Sequence, residues 1–259
     1  MLHIITFATD PSRLQYLKDT AELNNLNIIC MMKSTWNGYI DKIIYTKEFL
    51  ETVDNNDIVC FIDAYDVLSL GSYQEIVDKF KSYECDLLLG CEINSYPGHY
   101  KPFYPPVECT TNYLYINSGG YIGYKHAISK VLEWKDMNTI ASMCKTENGT
   151  DQAYFIEYFL YNPSPRIKLD HFQKIFQNMH WVSWNEFYIQ HGRFVNTILN
   201  EKPCFIHYNG GTWKTNDKQN ILPIAVEKLK DSMKDTNIFT FHEYKQIQTD
   251  TCWPHKQIN

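Results

Sequence analysis

The sequence predicts an α/β protein built on a mainly parallel central sheet flanked by helices. Short apolar runs rich in β-branched and aromatic residues alternate with stretches of helical spacing through the first two thirds of the chain. Strands separated by helical crossovers pair in parallel, and such a sheet is covered on both faces. The chain has 259 residues, 44% of them hydrophobic and 21% charged. That balance excludes a disordered or fibrous protein and leaves room for a sizeable core.

The elements follow in order. Leu2–Ala8 reads as the first strand and Ser12–Asn24 as a helix behind it. Asn27–Met32 is the second strand, with a helix near Lys47–Val53. Ile58–Ile62 is an apolar strand that stops at Asp63, followed by a helix over Ser72–Tyr83 and a strand over Asp86–Gly90. Asn94–Thr111, rich in Pro, Tyr and Gly, has the length of a binding loop or lid. Tyr113–Tyr124 then reads as a strand, Lys125–Trp134 as a helix, and a further helix runs from Asp151 to about Leu160. Short strands are expected around Arg166–Asp170, Phe187–Gln190 and Cys204–Tyr208, and the tail from about Lys245 is polar and weakly patterned. No linker or repeat divides the chain, so a single domain over 1–259 is expected. In sheets of this kind ligands bind beyond the carboxyl ends of the strands, which makes residues just after strands the first suspects.

Lys+Arg number 24 against 30 Asp+Glu, a formal charge of -6. No overall field draws nucleic acid or anionic lipid, and neither is expected as a partner. No apolar run approaches the ~20 residues that span a bilayer, and the opening Met1–Ala8 run is too short for a signal core. A cytosolic protein is therefore expected unless a leader has been removed. The eight cysteines are scattered, with no CxxC pair, and read as reduced thiols; Cys30, Cys60 and Cys204 sit in strand-like runs as small hydrophobes. The sequon Asn148-Gly149-Thr150 matters only in a secretory protein. An excess of Lys over Arg, with plentiful Asn, Ile and Tyr, fits an AT-rich genome such as a large virus or a protist carries.

The sharpest local signal is Asp63-Ala64-Tyr65-Asp66 at the end of an apolar strand. Two carboxylates at a strand end either bind a hard divalent cation, which neutralises a substrate diphosphate, or simply end the strand and satisfy a turn or helix start. An acyl-phosphate phosphatase would want Asp-x-Asp, so the three-residue step argues against that class. Tyr65 between the carboxylates offers a ring for a base, and Trp36 after the second strand offers an opposing face. Packing is the plainer reading of either ring alone.

Asn117-Ser118-Gly119-Gly120 places two glycines between strand-like segments, for a bulge or for close approach to a ligand. Asn117 and Ser118 have the donors and acceptors to grip sugar hydroxyls. Asp151 enters a helix, either as a capping residue or as a carboxylate facing a reacting sugar carbon or an acceptor hydroxyl. His207 follows a strand and, in its neutral form, is a good third ligand for manganese beside two carboxylates; its bland reading is structural. The glycines after it admit backbone amides to a diphosphate, and Lys214 adds positive charge.

Together these segments resemble the glycosyltransferase domain of the procollagen lysyl hydroxylase family, whose members attach sugars to hydroxylysine in collagen. The blocks that carry the resemblance are Phe61–Val67, Asn117–Gly123, Asp151-Gln152, Leu169-Asp170-His171 with Ile175–Asn178, and His207-Tyr208-Asn209-Gly210, and they cover nearly the whole chain in order. The resemblance implies a GT-A, Rossmann-like fold, a manganese ion and a UDP-sugar donor. It makes Asp63, Asp66 and His207 the metal ligands and Trp36 with Tyr65 the uridine clamp. Lys42, Asn209, Gly210 and Lys214 become donor-site residues, beside Asn117 and Ser118. Asp151 matches the family's essential carboxylate, and Glu92 with Tyr96 falls where acceptor-side residues occur, Glu92 as a second catalytic candidate.

The chain departs from the family at three places. Asp151 follows Gly149-Thr150 where an aspartate run is usual, Tyr96 stands where Trp is usual, and Tyr208 where Gly is usual. The hydroxylase domain of the family's larger proteins is outside the resemblance, so no iron or 2-oxoglutarate chemistry is implied. The implied reaction moves glucose from UDP-glucose to galactosyl-hydroxylysine of collagen or a collagen-like polypeptide, retaining configuration. Its rivals are an inverting transfer from UDP-galactose to hydroxylysine itself, and a catalytically silent sugar- or collagen-binding module. The oligomeric state stays open between monomer and homodimer.

Overall fold

A computed structural model describes residues 1–108, 110–145, 150–164, 166–212, 214, 220–234, 237–242 and 244. In chain order the elements are β1 (Leu2–Ala8), α1 (Gln15–Leu23), β2 (Ile28–Met32), α2 (Ile40–Leu50), β3 (Ile58–Ile62), β4 (Val67–Ser69), α3 (Tyr73–Ser82), β5 (Leu87–Glu92) and β6 (Tyr115–Tyr124). They continue with α4 (Lys125–Leu132), α5 (Met137–Lys145), α6 (Asp151–Tyr161), β7 (Ile167–Leu169), β8 (Phe176–Asn178), β9 (Phe187–Gln190), β10 (Arg193–Asn196), β11 (Phe205–His207), α7 (Ile221–Ser232) and β12 (Phe239–Thr240).

The central sheet has the order β2-β1-β3-β6-β5-β7. Every strand but β6 runs the same way, so the mainly parallel sheet expected from the sequence is present. The strands read as continuous apolar runs because both faces are covered. On β3, Val59 and Phe61 join Ile5, Leu89 and Tyr121 in one core, while Ile58, Cys60 and Ile62 join Ile4, Leu88 and Ile122 in the other. Each such side chain removed from water stabilises the fold by ~1.5–3 kcal/mol. Strand β6 is antiparallel for a topological reason: the connection from β5 carries only a 3-10 turn, Gly98–Phe103, and no helical crossover that would reverse the chain twice. That connection is the Pro- and Tyr-rich segment marked as a binding loop in the sequence.

Two small sheets, β4-β11-β8 and β10-β9-β12, build the rest. The first sits at the carboxyl end of β3 and carries one wall of the site. Several boundaries differ from expectation. The helix expected near Lys47–Val53 is α2, which starts at Ile40 and ends at Leu50; its buried stripe is Ile40, Ile43, Thr46 and Leu50, and Asp41 accepts the Asn37 N–H at 2.7 Å at its start. The strand expected from Tyr113 begins at Tyr115, and α5, α7, β4, β8, β10 and β12 lacked a clear sequence signal. The polar tail from Lys245, Cys109, and Asn148-Gly149 of the sequon lie outside the described residues. No helix among the described residues is long and apolar enough to cross a membrane.

Candidate active site

The site forms where β3, β5 and β11 end and β6, running the other way, begins. Asp63 is the residue after β3, and its N–H donates to the Gly119 carbonyl at 2.8 Å, extending the ladder one step beyond the strand. Asp66 immediately precedes β4. Strand β11 pairs antiparallel with β4, placing His207 opposite Val67, and parallel with β8, placing it opposite Asn178. Sheet register therefore brings an imidazole 141 positions away onto the two carboxylates. His207 Nε2 lies 3.6 Å from Asp63 Oδ2 and 3.4 Å from Asp66 Oδ1. One ligand atom from each of the three falls within 4.8 Å of the others.

These residues fit a divalent cation. Neighbouring oxygens around a small octahedral ion lie about 3 Å apart when metal bonds are ~2.1 Å. The tautomer also fits: Asn178 Nδ2 donates to the Cys91 carbonyl at 2.8 Å, so its Oδ1 must accept, and His207 Nδ1–H donates to it at 2.9 Å. Nε2 is left with its lone pair toward the carboxylates, which is how metal-binding histidines are oriented. A Cβ at Gly119 would lie 2.2 Å from His207 Cε1 and 2.9 Å from Asp63 Oδ2, so glycine is required for the cluster to close. The double glycine marks the expected bulge: β5 and β6 shift register between Leu89 and Gly90, and the glycine backbone leaves room for the His207 and Asp63 side chains.

Lys42, on the first turn of α2, places Nζ 2.5 Å from Asp63 Oδ1 and 4.0 Å from Asp151 Oδ2. Burial opposes its charge, but Asp151 and Asp63 outweigh burial and hold the ammonium well above its ordinary range. Burial likewise opposes ionised Asp63, yet Lys42 and His207 keep its carboxyl below the usual range. Asp151 goes the other way: burial pushes it up, with Lys42 pulling back and Asp63 adding to the rise. For His207, burial opposes protonation and the Asp66 and Asp63 charges overcome it. Asp151 is the first residue of α6 and only 3% exposed; the N-cap is Thr150, so capping does not explain the carboxylate.

Glu92, the last residue of β5 and 3% exposed, is held by three amides. Asn117 Nδ2 donates to Oε1 at 3.1 Å, Gln152 Nε2 to Oε1 at 3.0 Å and Asn209 Nδ2 to Oε2 at 2.9 Å. The other ends are tied too: Asn117 Oδ1 accepts from Gly119, Gln152 Oε1 from Ser118, and Asn209 Oδ1 from Met179 and His180, all at 3.0 Å. Gln152 Nε2 also donates to the Tyr96 carbonyl at 2.7 Å. Glu92 therefore assembles the wall from four separate chain segments.

Two cavities meet at the acidic pair. The outer one, about 600 Å³, is lined by Trp36, Tyr39, Arg13, Tyr65 and Lys42 with Asp63 and Asp66. Trp36 is 47% exposed and stacks on Phe7 at 5.7 Å. Tyr65 is pinned by its hydroxyl, which accepts from the Thr9 and Asp10 N–H groups at 2.8 Å each. The inner cavity, about 210 Å³, is lined by Glu92, Tyr96, Asn117, Ser118, Asp151, His207, Asn209 and Gly210, and it shares Tyr39, Lys42, Asp63 and Asp66 with the outer. Lys214 is exposed, forms a backbone bridge with Asn220, and is not among the residues lining either cavity. Asn178, Gln152, Tyr39, Arg13 and His180 were not singled out as site residues from the sequence. Gln152 and Asn178 lay in family-like blocks, whereas His180 had no signal.

A model of the family described as PLOD GT domain matches residues 1–230. Procollagen-lysine,2-oxoglutarate 5-dioxygenase 1 of Homo sapiens is 30% identical over 231 residues, covering 82% of this chain and 30% of that protein. Its Mus musculus counterpart is 31% identical over 182 residues, covering 66% and 23%. The multifunctional procollagen lysine hydroxylase and glycosyltransferase LH3 of Homo sapiens is 30% identical over 176 residues, covering 64% and 22%. The chain spans less than a third of the length of these curated relatives.

Proposed function

We propose, because the chain belongs to the PLOD GT domain family, that it is a UDP-sugar-dependent hexosyltransferase. In this reading it moves glucose from UDP-glucose to galactosyl-hydroxylysine of a collagen-like polypeptide, with retention of configuration. The observation that carries the reading is the junction of the two cavities at Asp63, Asp66 and Lys42. A nucleotide fills the outer cavity, the sugar and its acceptor the inner one, and the diphosphate between them lies at the charged seam the two share.

Asp63, Asp66 and His207 would hold a manganese ion, which when bound neutralises the departing diphosphate. Trp36 and the pinned ring of Tyr65 offer faces to the uracil. Lys42 presents a fixed positive charge to the phosphate oxygens, and it costs no reorganisation because Asp63 and Asp151 already orient it. In the inner cavity, Asp151 stabilises positive charge at the anomeric carbon as the bond to UDP breaks and the acceptor oxygen bonds to that carbon. The acceptor proton leaves on the departing phosphate. Ser118, Asn209 and Gly210 complete the wall around the sugar.

The test is turnover of UDP-glucose with a galactosyl-hydroxylysine peptide and manganese, in wild type and in Asp63→Ala, Asp66→Ala and Asp151→Ala. Loss of UDP release in each variant and an α-anomeric coupling in the product are expected. Unchanged turnover in folded variants contradicts the assigned roles, and a β-linked galactosyl product from UDP-galactose favours the inverting rival.

A further inference from the structure

Two adjacent residues beside the inner cavity are built in ways the donor chemistry does not require. His180 lines that cavity and turns Nδ1 toward Glu92 Oε2 at 3.5 Å. Its backbone is fixed by Asn209, whose Oδ1 accepts the Met179 and His180 N–H groups together. Its ring lies against Gly210, at φ +66°, where an added Cβ would come within 2.9 Å of His180 Cδ2. Only a residue without a side chain lets the imidazole occupy this place. With Nδ1 turned to Glu92, the other ring nitrogen, Nε2, lies on the Gly210 side of the ring.

Trp181 follows with φ +66°, in the left-handed region that disfavours a bulky side chain. Its indole is nevertheless 54% exposed and set edge-on to His180, the ring centroids 6.1 Å apart at 89°. Trp181 does not itself line the cavity but abuts His180, which does, so the left-handed backbone holds an exposed aromatic ring next to a cavity-lining imidazole, where it can offer a face to a ligand. An indole face flanked by a hydrogen-bonding imidazole suits a hexose, which has an apolar C–H face and a hydroxylated rim.

The geometry points to His180 and Trp181 as an acceptor-sugar subsite: the indole stacks on the face of the acceptor's terminal hexose, and His180 Nε2 hydrogen-bonds one of its hydroxyls. This rests on the transferase reading and sharpens it, since such a platform serves an acceptor that already carries a sugar better than a bare hydroxylysine side chain.

The experiment is saturation-transfer NMR with methyl β-D-galactopyranoside on the full chain, in wild type, Trp181→Gly, Trp181→Phe and His180→Ala. Wild type is expected to transfer saturation to the ring protons of one sugar face. Trp181→Gly should weaken the galactoside about fivefold or more while Trp181→Phe stays within about twofold, as expected for loss and retention of an aromatic platform. Because glycine relieves the left-handed backbone, Trp181→Gly should also melt at or above the wild-type temperature, which separates loss of binding from loss of fold. His180→Ala should weaken binding about fivefold, the worth of one hydrogen bond. No saturation transfer from wild type to the sugar, or equal galactoside affinity in Trp181→Gly, overturns the subsite. UDP-glucose turnover is measured separately: galactoside binding without any donor turnover would overturn the transferase reading and with it the acceptor role, leaving a galactose-binding site at His180 and Trp181.

Discussion

The outer cavity is walled by rings on loops, the inner one by buried amides around a carboxylate. Trp36 and Arg13 are exposed and touch the rest of the fold through ring contacts, with the Arg13 guanidinium 4.1 Å above the Tyr65 ring. Asn117, Gln152 and Asn209 are buried and have both amide ends bonded. The difference teaches where tolerance lies. An aromatic wall adapts to its ligand and loses affinity gradually, whereas a closed polar network fails as a unit when one member goes.

The largest effect is expected at the seam. Asp63→Ala removes a proposed metal ligand, the partner of Lys42 and part of both cavities, and should lower UDP-glucose turnover about a thousandfold, read as UDP release. Next comes the inner wall. Glu92→Ala leaves the buried amide donors of Asn117 and Asn209 unpaired and strips Gln152 of one of its two acceptors, and should cost about 3 kcal/mol or more in urea unfolding, with Glu92→Gln intermediate. A loss below 1 kcal/mol would mean that water replaces Glu92 easily and that the inner wall is as adaptable as the outer. Trp36→Ala should raise KM for UDP-glucose about tenfold, the range for losing a ring stacked on a base, and leave unfolding unchanged within error. A large stability loss there would erase the contrast between the cavities.

The smallest effect lies away from both. Glu75 on α3 is paired to Arg193 by two hydrogen bonds of 2.6 and 2.9 Å and to Lys79 at 2.7 Å. Burial raises its pKa, but Arg193 and Lys79 more than compensate and hold its carboxyl below the usual range. A lowered folded value means stabilisation that is present above the unfolded pKa and lost as pH falls through the folded one. Glu75→Gln should therefore cost about 1 kcal/mol at pH 7, and the gap from wild type should close as pH falls through the lowered pKa of folded Glu75.

Much of the sheet was legible because β1, β3 and β5 are buried on both faces and read as unbroken apolar runs. The Asp63-x-x-Asp66 pair was legible for the same reason: it interrupts such a run where ligands bind. Strands β4, β8 and β10 were not, since three or four residues are too few to show a period; β7, β9 and β11 are as short, and were read from local β-rich runs instead. The start of α2 was hidden because Gly38 and Tyr39 precede it without a capping side chain. His207 stood out only through its block, as the register of β11 on β4 and β8 is tertiary information. Glu92's role as a hub was invisible for a similar reason: its three partners come from β6, α6 and the turn after β11. His180 and Trp181 follow a short strand with no pattern of their own, and only backbone angles and exposure mark them.

The central claim is that Asp63, Asp66 and His207 share one cation at the seam between the cavities. Electron-nuclear double resonance of manganese bound with UDP tests it most directly. The account predicts a nitrogen coupling from one imidazole in wild type that disappears in His207→Gln. Manganese and UDP bound together with no imidazole coupling, or with a coupling that survives His207→Gln, would contradict it.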